Sequence, residues 1–281
     1  MKRSIFPLVA IAVIAVTFMA CQQKKANEPA KTEDIKSEIQ ITQELKDEVI
    51  RIYEEYQHYE FNFFKSMQEG RDDEKGDIID KFTVPLNLAE KAQTLDQKYF
   101  LLGMYLSNVI GIRYFFGQND EERAKVIVKL AVEINLPALA SIDWEQVMKK
   151  TWDDLYNEKA ESLLADFKTA LEKGNADKFI QIALGTYIQV KYAQSVVREA
   201  IGELARSQPA MWETHAKIEN CIIELVDKLL PYYPSLEATL PIVNDMRALH
   251  KEMTDEEIEV AYSQFMDKII ERRTAFLAEL H

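Results

Sequence analysis

Tyr99 to Phe116 reads YFLLGMYLSNVIGIRYFF. Wound as a helix, the segment is apolar nearly all the way round, and such a helix has to be covered by other elements on most sides. The competing reading is a membrane span, which takes ~20 consecutive apolar residues. Lys98 and Arg113 bound this run and Asn108 sits in its middle, so the pattern points to a buried helix at the centre of a helical fold. A second stretch, Phe179 to Leu204, carries a related pattern. Leu102-Gly103-Met104-Tyr105-Leu106 lines up with Leu184-Gly185-Thr186-Tyr187-Ile188, 82 residues further on, and the match hints at a duplicated helical unit.

The rest of the chain agrees with an all-α fold. It has 281 residues, 47% hydrophobic and 29% charged, enough for one substantial core, and only 8 Gly and 8 Pro to mark turns. From Leu45 the apolar residues fall at Val49, Ile52, Tyr56, Tyr59, Phe63 and Met67, the period of a long amphipathic helix that Gly70 ends. Residues 71–95 read as an irregular connection interrupted at Val84-Pro85. Asn119 with Glu122 has the form of an N-cap before a helix closed by Leu136-Pro137. Asp143 with Gln146 opens a further helix that runs to Gly174, with a break near Asn157. Beyond Pro209, Met211, His215, Ile218, Ile222 and Leu225 make another, ended by Pro231-Tyr232-Tyr233-Pro234. A shorter helix follows with Pro241 near its start, and Thr254 with Glu257 caps a last one. About eight helices joined by short turns predict an antiparallel helical bundle, and no period of 20 to 50 residues supports a solenoid.

The N-terminus has a different character. Lys2-Arg3 followed by the apolar Ile5 to Val16 has the form of a secretory signal, expected over residues 1–20. It ends Phe18-Met19-Ala20-Cys21, which resembles the lipobox of bacterial lipoproteins, with Phe18 in place of the usual leucine. That resemblance implies lipidation of Cys21 and attachment to a membrane, where each buried CH₂ contributes ~0.8 kcal/mol. Gln22 in place of an aspartate favours the outer membrane over the inner by the same resemblance. Residues 21–40 are polar and read as a tether with a reach of about 25 Å, leaving residues 41–281 as a single helical domain. With Cys21 lipidated, Cys221 has no disulfide partner.

Charge and motifs exclude more than they identify. The formal net charge is −13, and loss of Lys2 and Arg3 with the signal makes the mature chain more acidic still, so no nucleic-acid partner is expected. Glu55-Tyr56-Gln57-His58 is one Glu-x-x-His unit, but a di-iron site needs two, so a solvated helix face is the reading. His215 lies on an apolar stripe and reads as a core histidine, Cys221 as a small buried hydrophobe. Asp120-Glu121-Glu122 and Asp255-Glu256-Glu257 open helices, where the dipole favours acids, and Asp72-Asp73-Glu74 lacks the spacing of a calcium loop. No catalytic, phosphate-binding or dinucleotide motif occurs, and neither a metal nor a cofactor is expected. Tyr53, Tyr56 and Tyr59, with the nearby phenylalanines, could line a ligand groove or a partner surface, although helical spacing alone accounts for them as core.

The two glycine-centred segments read Gly103-Met104-Tyr105-Leu106-Ser107-Asn108 and Gly185-Thr186-Tyr187-Ile188-Gln189-Val190-Lys191-Tyr192. They resemble the Gly-x-Tyr-x-x-Asp and Gly-x-Trp-Ile-Glu-x-x-Tyr motifs of a family of uncharacterised all-helical bacterial lipoproteins of similar length. Asn108 and Gln189 stand where that family has acids, and Tyr187 where it has tryptophan. The resemblance implies the same architecture and supplies no activity. The expected function is therefore a non-enzymatic, envelope-tethered domain that binds a protein partner or scaffolds an assembly, with a carrier of a hydrophobic small molecule or lipid as the alternative.

Overall fold

The computed structural model describes residues 41–67, 78–201, 209–251 and 255–280. The signal segment, Cys21, the tether, Gly70, Asp72-Asp73-Glu74 and the Thr254 cap lie outside the described residues. Among those described there are eleven α-helices and no strand, and three of the helices are single turns.

Helix α1 (Gln43–Met67) starts where Thr42 Oγ1 accepts from Leu45 N and buries Val49, Ile52, Tyr53, Tyr56, Phe63 and Phe64. After α2 (Ile79–Phe82) and a 3₁₀ turn at Leu86–Glu90 comes α3 (Leu95–Phe116). A reciprocal capping box between Thr94 and Gln97 opens α3, and Gly117 closes it at φ 63°, a left-handed conformation that glycine adopts without strain. As its all-round apolar pattern requires, almost every residue of Tyr99–Phe116 is buried.

Two expected boundaries move. Asp120, not Asn119, caps α4 (Glu121–Glu133) by accepting from Arg123 N. Asp143 does cap a helix through Gln146 N, but that helix, α6 (Trp144–Val147), lasts one turn. Thr151, inside the helix expected from Asp143 to Gly174, accepts from Asp154 N and starts α7 (Trp152–Lys173), so the break falls before Thr151 and Asn157 lies inside the helix. Between α4 and α6, Pro137 begins the single turn α5 (Pro137–Ala140), whose Ala138 and Leu139 N–H groups are capped by the buried Asp166 of α7. The chain continues through α8 (Asp177–Ile201), α9 (Pro209–Leu229), a 3₁₀ turn at Pro234–Thr239, α10 (Leu240–Leu249) and α11 (Asp255–Glu279).

Helix α1 runs antiparallel to both α7 and α9. On α1 and α7 the paired residues are Glu54 with Lys168, Glu60 with Lys159 and Lys65 with Asp153, so one number rises as the other falls. On α1 and α9 they are Glu48 with Lys228 and Phe63 with His215. The central pair, α3 and α8, runs parallel. Asp96 meets Lys178, Tyr99 meets Phe179, and Ile112 and Phe116 share a small core with Ala193.

The two glycines explain how that pair comes so close. A Cβ on Gly103 would lie 2.1 Å from Ile182 O, and a Cβ on Gly185 would lie 2.1 Å from Phe100 O. Each glycine therefore lets the other helix's backbone rest against it, and Thr186 Oγ1 donates to Gly103 O across the contact at 3.1 Å. Both relationships carry the 82-residue offset of the sequence match, since Phe100 and Ile182 are as far apart as Gly103 and Gly185. The crossing has a local two-fold symmetry, as a duplicated helix packed on its copy would have.

Candidate functional site

The aromatic row on α1 divides between core and surface. Tyr53 is buried, its ring 4.4 Å from Phe167 and 6.1 Å from Phe179, and Tyr56 is buried with its hydroxyl donating to Glu60 Oε1 at 3.1 Å. Burial, then the Glu60 carboxylate, pushes both phenols far above their ordinary range. Tyr59 alone of the three is half-buried, with Lys217 Nζ 5.7 Å from its ring.

Glu60 is the charge around which the α1 side of the interior is arranged. Its carboxylate pairs with Lys159 Nζ at 2.5 Å, both side chains being under 5% exposed, and takes a further bond from Tyr156 Oη at 2.5 Å. Gln57, one turn earlier, donates to Ala160 O at 2.9 Å. A buried pair of this kind persists only where hydrogen bonds satisfy the remaining lone pairs, and Tyr56 and Tyr156 do so here.

A second buried ion pair lies between α8 and α9. Lys191, fully buried, is 3.5 Å from Glu219 Oε1, and its ammonium faces the rings of Tyr187 and Tyr262 at 5.3 and 5.1 Å. Tyr187 donates to Glu219, and His250 Nε2 lies 3.1 Å from Glu219 Oε2. Burial alone would raise the Glu219 carboxyl, but Lys191, His250 and Tyr187 together outweigh it and hold it below the usual range. His215 is buried nearby, 4.4 Å ring to ring from Phe63, and its Nε2 lies 3.3 Å from Gln194 Nε2. Burial, helped by Lys191, depresses its basicity well below that of free histidine, so it is neutral at pH 7. Beside Glu60 is a small cavity of about 10 Å³, lined by Tyr56, Glu60, Phe63, Thr186, Tyr187, Val190, His215 and Ile218.

Asn108 and Gln189 converge on one piece of backbone. Asn108 Oδ1 accepts from Val84 N at 2.8 Å, and Gln189 Nε2 donates to Phe82 O at 2.6 Å. Arg273 of α11 donates to both Gln189 Oε1 and Phe82 O, with its guanidinium 3.7 Å from the Tyr192 ring centre. Arg123 Nε donates to Val84 O and Tyr105 Oη to Pro85 O. Phe82, Thr83 and Val84 are buried before the chain surfaces at Pro85, so Phe82 O and both backbone groups of Val84 need partners that no helix ladder supplies; Asn108, Gln189, Arg273 and Arg123 provide them, and Tyr105 adds a bond to Pro85 O at the edge. A glutamate at 189 could pair with Arg273 but would present no donor to Phe82 O. Burial pulls the Arg273 guanidinium down to about 10.

The remaining candidates are local. Glu55 pairs with Arg51 and His58 bonds Asn62, both toward the outer face of α1. Cys221 is buried and free, and burial pushes its thiol up to about 12. Asp120 caps α4 and pairs with Arg123. Among the described residues no group of three or more His, Cys, Asp or Glu side chains is placed to hold a metal ion, and no helix is long and apolar enough to cross a membrane. An open groove of about 590 Å³ between α10 and α11 is lined by Pro241, Asp245, Lys268, Glu271, Arg272 and Ala275, and Asp245 bridges Lys268 and Arg272 across it.

Sequence reasoning missed Glu60, Lys159, Lys191, Glu219 and Arg273. Three of them carried a readable signal: Glu60 follows Tyr56 by four, Lys191 follows Tyr187 by four and Glu219 follows His215 by four, each a charge on an apolar stripe. Lys159 and Arg273 stood out from no stripe and are recognisable only by the partners they meet in space. A scan against known protein families, a search of curated proteins and a search of solved structures each find no match to the chain.

Proposed function

We propose that the chain is an envelope lipoprotein whose helical domain binds a protein partner and catalyses no reaction. The observation that carries this reading is the N-terminal sequence: Lys2-Arg3, the apolar Ile5 to Val16, and Cys21 at the end of Phe18-Met19-Ala20-Cys21. Two or three acyl chains on Cys21 would hold the domain at a membrane, with Gln22 favouring the outer one, and residues 22–40 would let it face away from the bilayer.

The interior supports binding at the surface over uptake into the core. Its main buried charges are engaged with one another or with amide and backbone groups, at Glu60–Lys159, Lys191–Glu219 and Gln189–Arg273. The small cavity of about 10 Å³ beside Glu60 is far below the roughly 300–1,000 Å³ that holds a drug-sized ligand, and the groove of about 590 Å³ between α10 and α11 is open and lined mostly by charged side chains, so neither favours a carrier of an apolar molecule. The acidic surface favours a partner with a basic face.

Metabolic labelling of the full chain with a radioactive fatty acid, followed by membrane fractionation, tests the anchor. Wild type should be labelled and sediment with membranes, and Cys21→Ser should be neither; an unlabelled, soluble wild type would overturn the anchor. Native mass spectrometry of the full chain re-isolated from envelope extract tests the partner. A stoichiometric protein adduct is expected, and a bound lipid-sized mass in its place would replace this reading with the carrier.

A further inference from the structure

Among the described residues three basic side chains are buried, Lys159, Lys191 and Arg273. Burying a charge is costly unless it is both paired and hydrogen-bonded. Lys159 meets Glu60 and Lys191 meets Glu219, so each lysine has its carboxylate. Arg273, 7% exposed, has none among the described residues. Its Nε donates to Gln189 Oε1 and its Nη2 to Phe82 O, both neutral acceptors, and the Tyr192 ring covers one face of the guanidinium. Desolvation with no counter-ion is what pulls this group down to about 10.

The hydrogen bonding is also incomplete at one corner. A guanidinium has five N–H donors in a fixed plane. Nη1 bonds to nothing among the described residues, yet it is not one of the side-chain nitrogens that are both unpartnered and sealed from solvent. The group is thus fixed along its Nε and Nη2 edge and open at Nη1, beside the half-buried Tyr192.

We propose that Arg273 Nη1 forms, where α2, α8 and α11 meet, a binding site for one carboxylate. A charge-assisted N–H···O⁻ bond there gives the buried guanidinium the counter-ion that Glu60 and Glu219 give the two lysines. The ligand carries a single charge because the site has a single cation: the Tyr192 phenol is the ionisable neighbour that acts on Arg273, and no second Lys or Arg does. A phosphate dianion would meet that one cation on a chain of formal net charge −13. The carboxylate belongs either to a small molecule or, resting on the partner reading above, to the bound protein.

Nitrogen-15 spectra of the full chain test this at the Arg273 Nε–Hε signal, identified by its absence from Arg273→Lys. Sodium acetate exchanged for sodium chloride at constant ionic strength should shift the signal along a saturable curve. A signal that moves alike in both salts, moves further in inorganic phosphate or does not move overturns the proposal. So does one that responds only after Asp72, Asp73, Glu74 and Asp77 are changed to amides, since the chain would then supply the carboxylate itself. The protein adduct in native mass spectra separates the two sources. Arg273→Lys, or Tyr192→Leu should the first not fold, should lose the adduct if the carboxylate is the partner's and keep it if a small molecule brings it. An acetate response in a wild type that forms no adduct would support the site while counting against the partner reading.

Discussion

Gly103→Ala should lower the melting temperature of the domain even though alanine is the better helix former. In an unconstrained helix interior the change favours folding by about 1 kcal/mol. At Gly103 the added methyl would lie 2.1 Å from Ile182 O and 2.9 Å from Thr186 N, well inside the distance of ordinary contact. Both are backbone atoms of α8, so no rotamer change relieves the overlap; α3 and α8 must separate by about 1 Å. A gap of that size forfeits about a quarter to a half of each dispersion contact it opens, and it opens them along the central pair of the fold. Overpacking a tight core costs about 1–3 kcal/mol, and with no escape by rotamer the net cost should sit near the top, about 3 kcal/mol. For a domain of this size, that is a loss of about 6–12 °C in Tm.

Gly111 is the internal control, on the same helix and equally buried. A Cβ there meets nothing nearer than the Phe115 ring at 3.8 Å, so Gly111→Ala should leave Tm unchanged or raise it. Gly103→Ala/Gly185→Ala should cost less than the sum of its single changes, because one separation of the helices relieves both overlaps. Thermal unfolding followed by far-UV circular dichroism measures wild type and the four variants, Gly185→Ala included. If Gly103→Ala melts with or above wild type, or moves in step with Gly111→Ala, the backbone contact is not what holds α3 on α8.

Three further outcomes follow from the buried polar groups. Glu60→Leu should destabilise by about 3–5 kcal/mol by stranding Lys159, and adding Lys159→Met should recover much of it; a urea midpoint for the single variant equal to wild type would refute the pairing. His215 stays neutral in the folded state while the unfolded chain protonates below about pH 6.5, so falling pH favours unfolding by up to about 1.4 kcal/mol per unit through this group. Stability should therefore drop from pH 7 to pH 5, and His215→Phe should flatten that slope; equal slopes would count against a buried neutral ring. Cys221, with its thiol pushed up to about 12, should resist iodoacetamide near neutral pH until urea unfolds the chain, whereas rapid alkylation of native protein would show that the site opens.

Much of the helical framework was legible because apolar spacing and caps are local. Tyr99–Phe116 announced its burial by composition, and Gly117, Gly174 and Pro137 stand where helices stop or start. The break before Thr151 was harder to see, since a threonine on an apolar stripe reads the same whether it packs in a helix or caps the next one. Its hydroxyl bond to Asp154 N decides between them, and no spacing rule displays that bond. The parallel course of α3 and α8 was hidden for a related reason. Matching glycines tell that two helices are alike, but only the positions of Phe100 and Ile182 show that each rests its carbonyl on the other's glycine.

Asn108 and Gln189 stood out in the sequence as amides where the resembled family has acids. In the fold they serve the backbone at Phe82 and Val84, and the amides have a physical reason. The connection at Val84-Pro85 cannot join a helix ladder, so Phe82 O needs donors and Val84 N needs an acceptor. An amide supplies either role without bringing a charge, and Arg273 already adds one positive charge to the same place with only neutral acceptors around it. Gln189 gives its oxygen to that guanidinium and its nitrogen to Phe82 O, a division that a carboxylate cannot make. The same side chains thus fasten α2 and the C-terminal helix to the central pair, and this demand on the backbone accounts for Asn108 and Gln189 without assigning either a ligand.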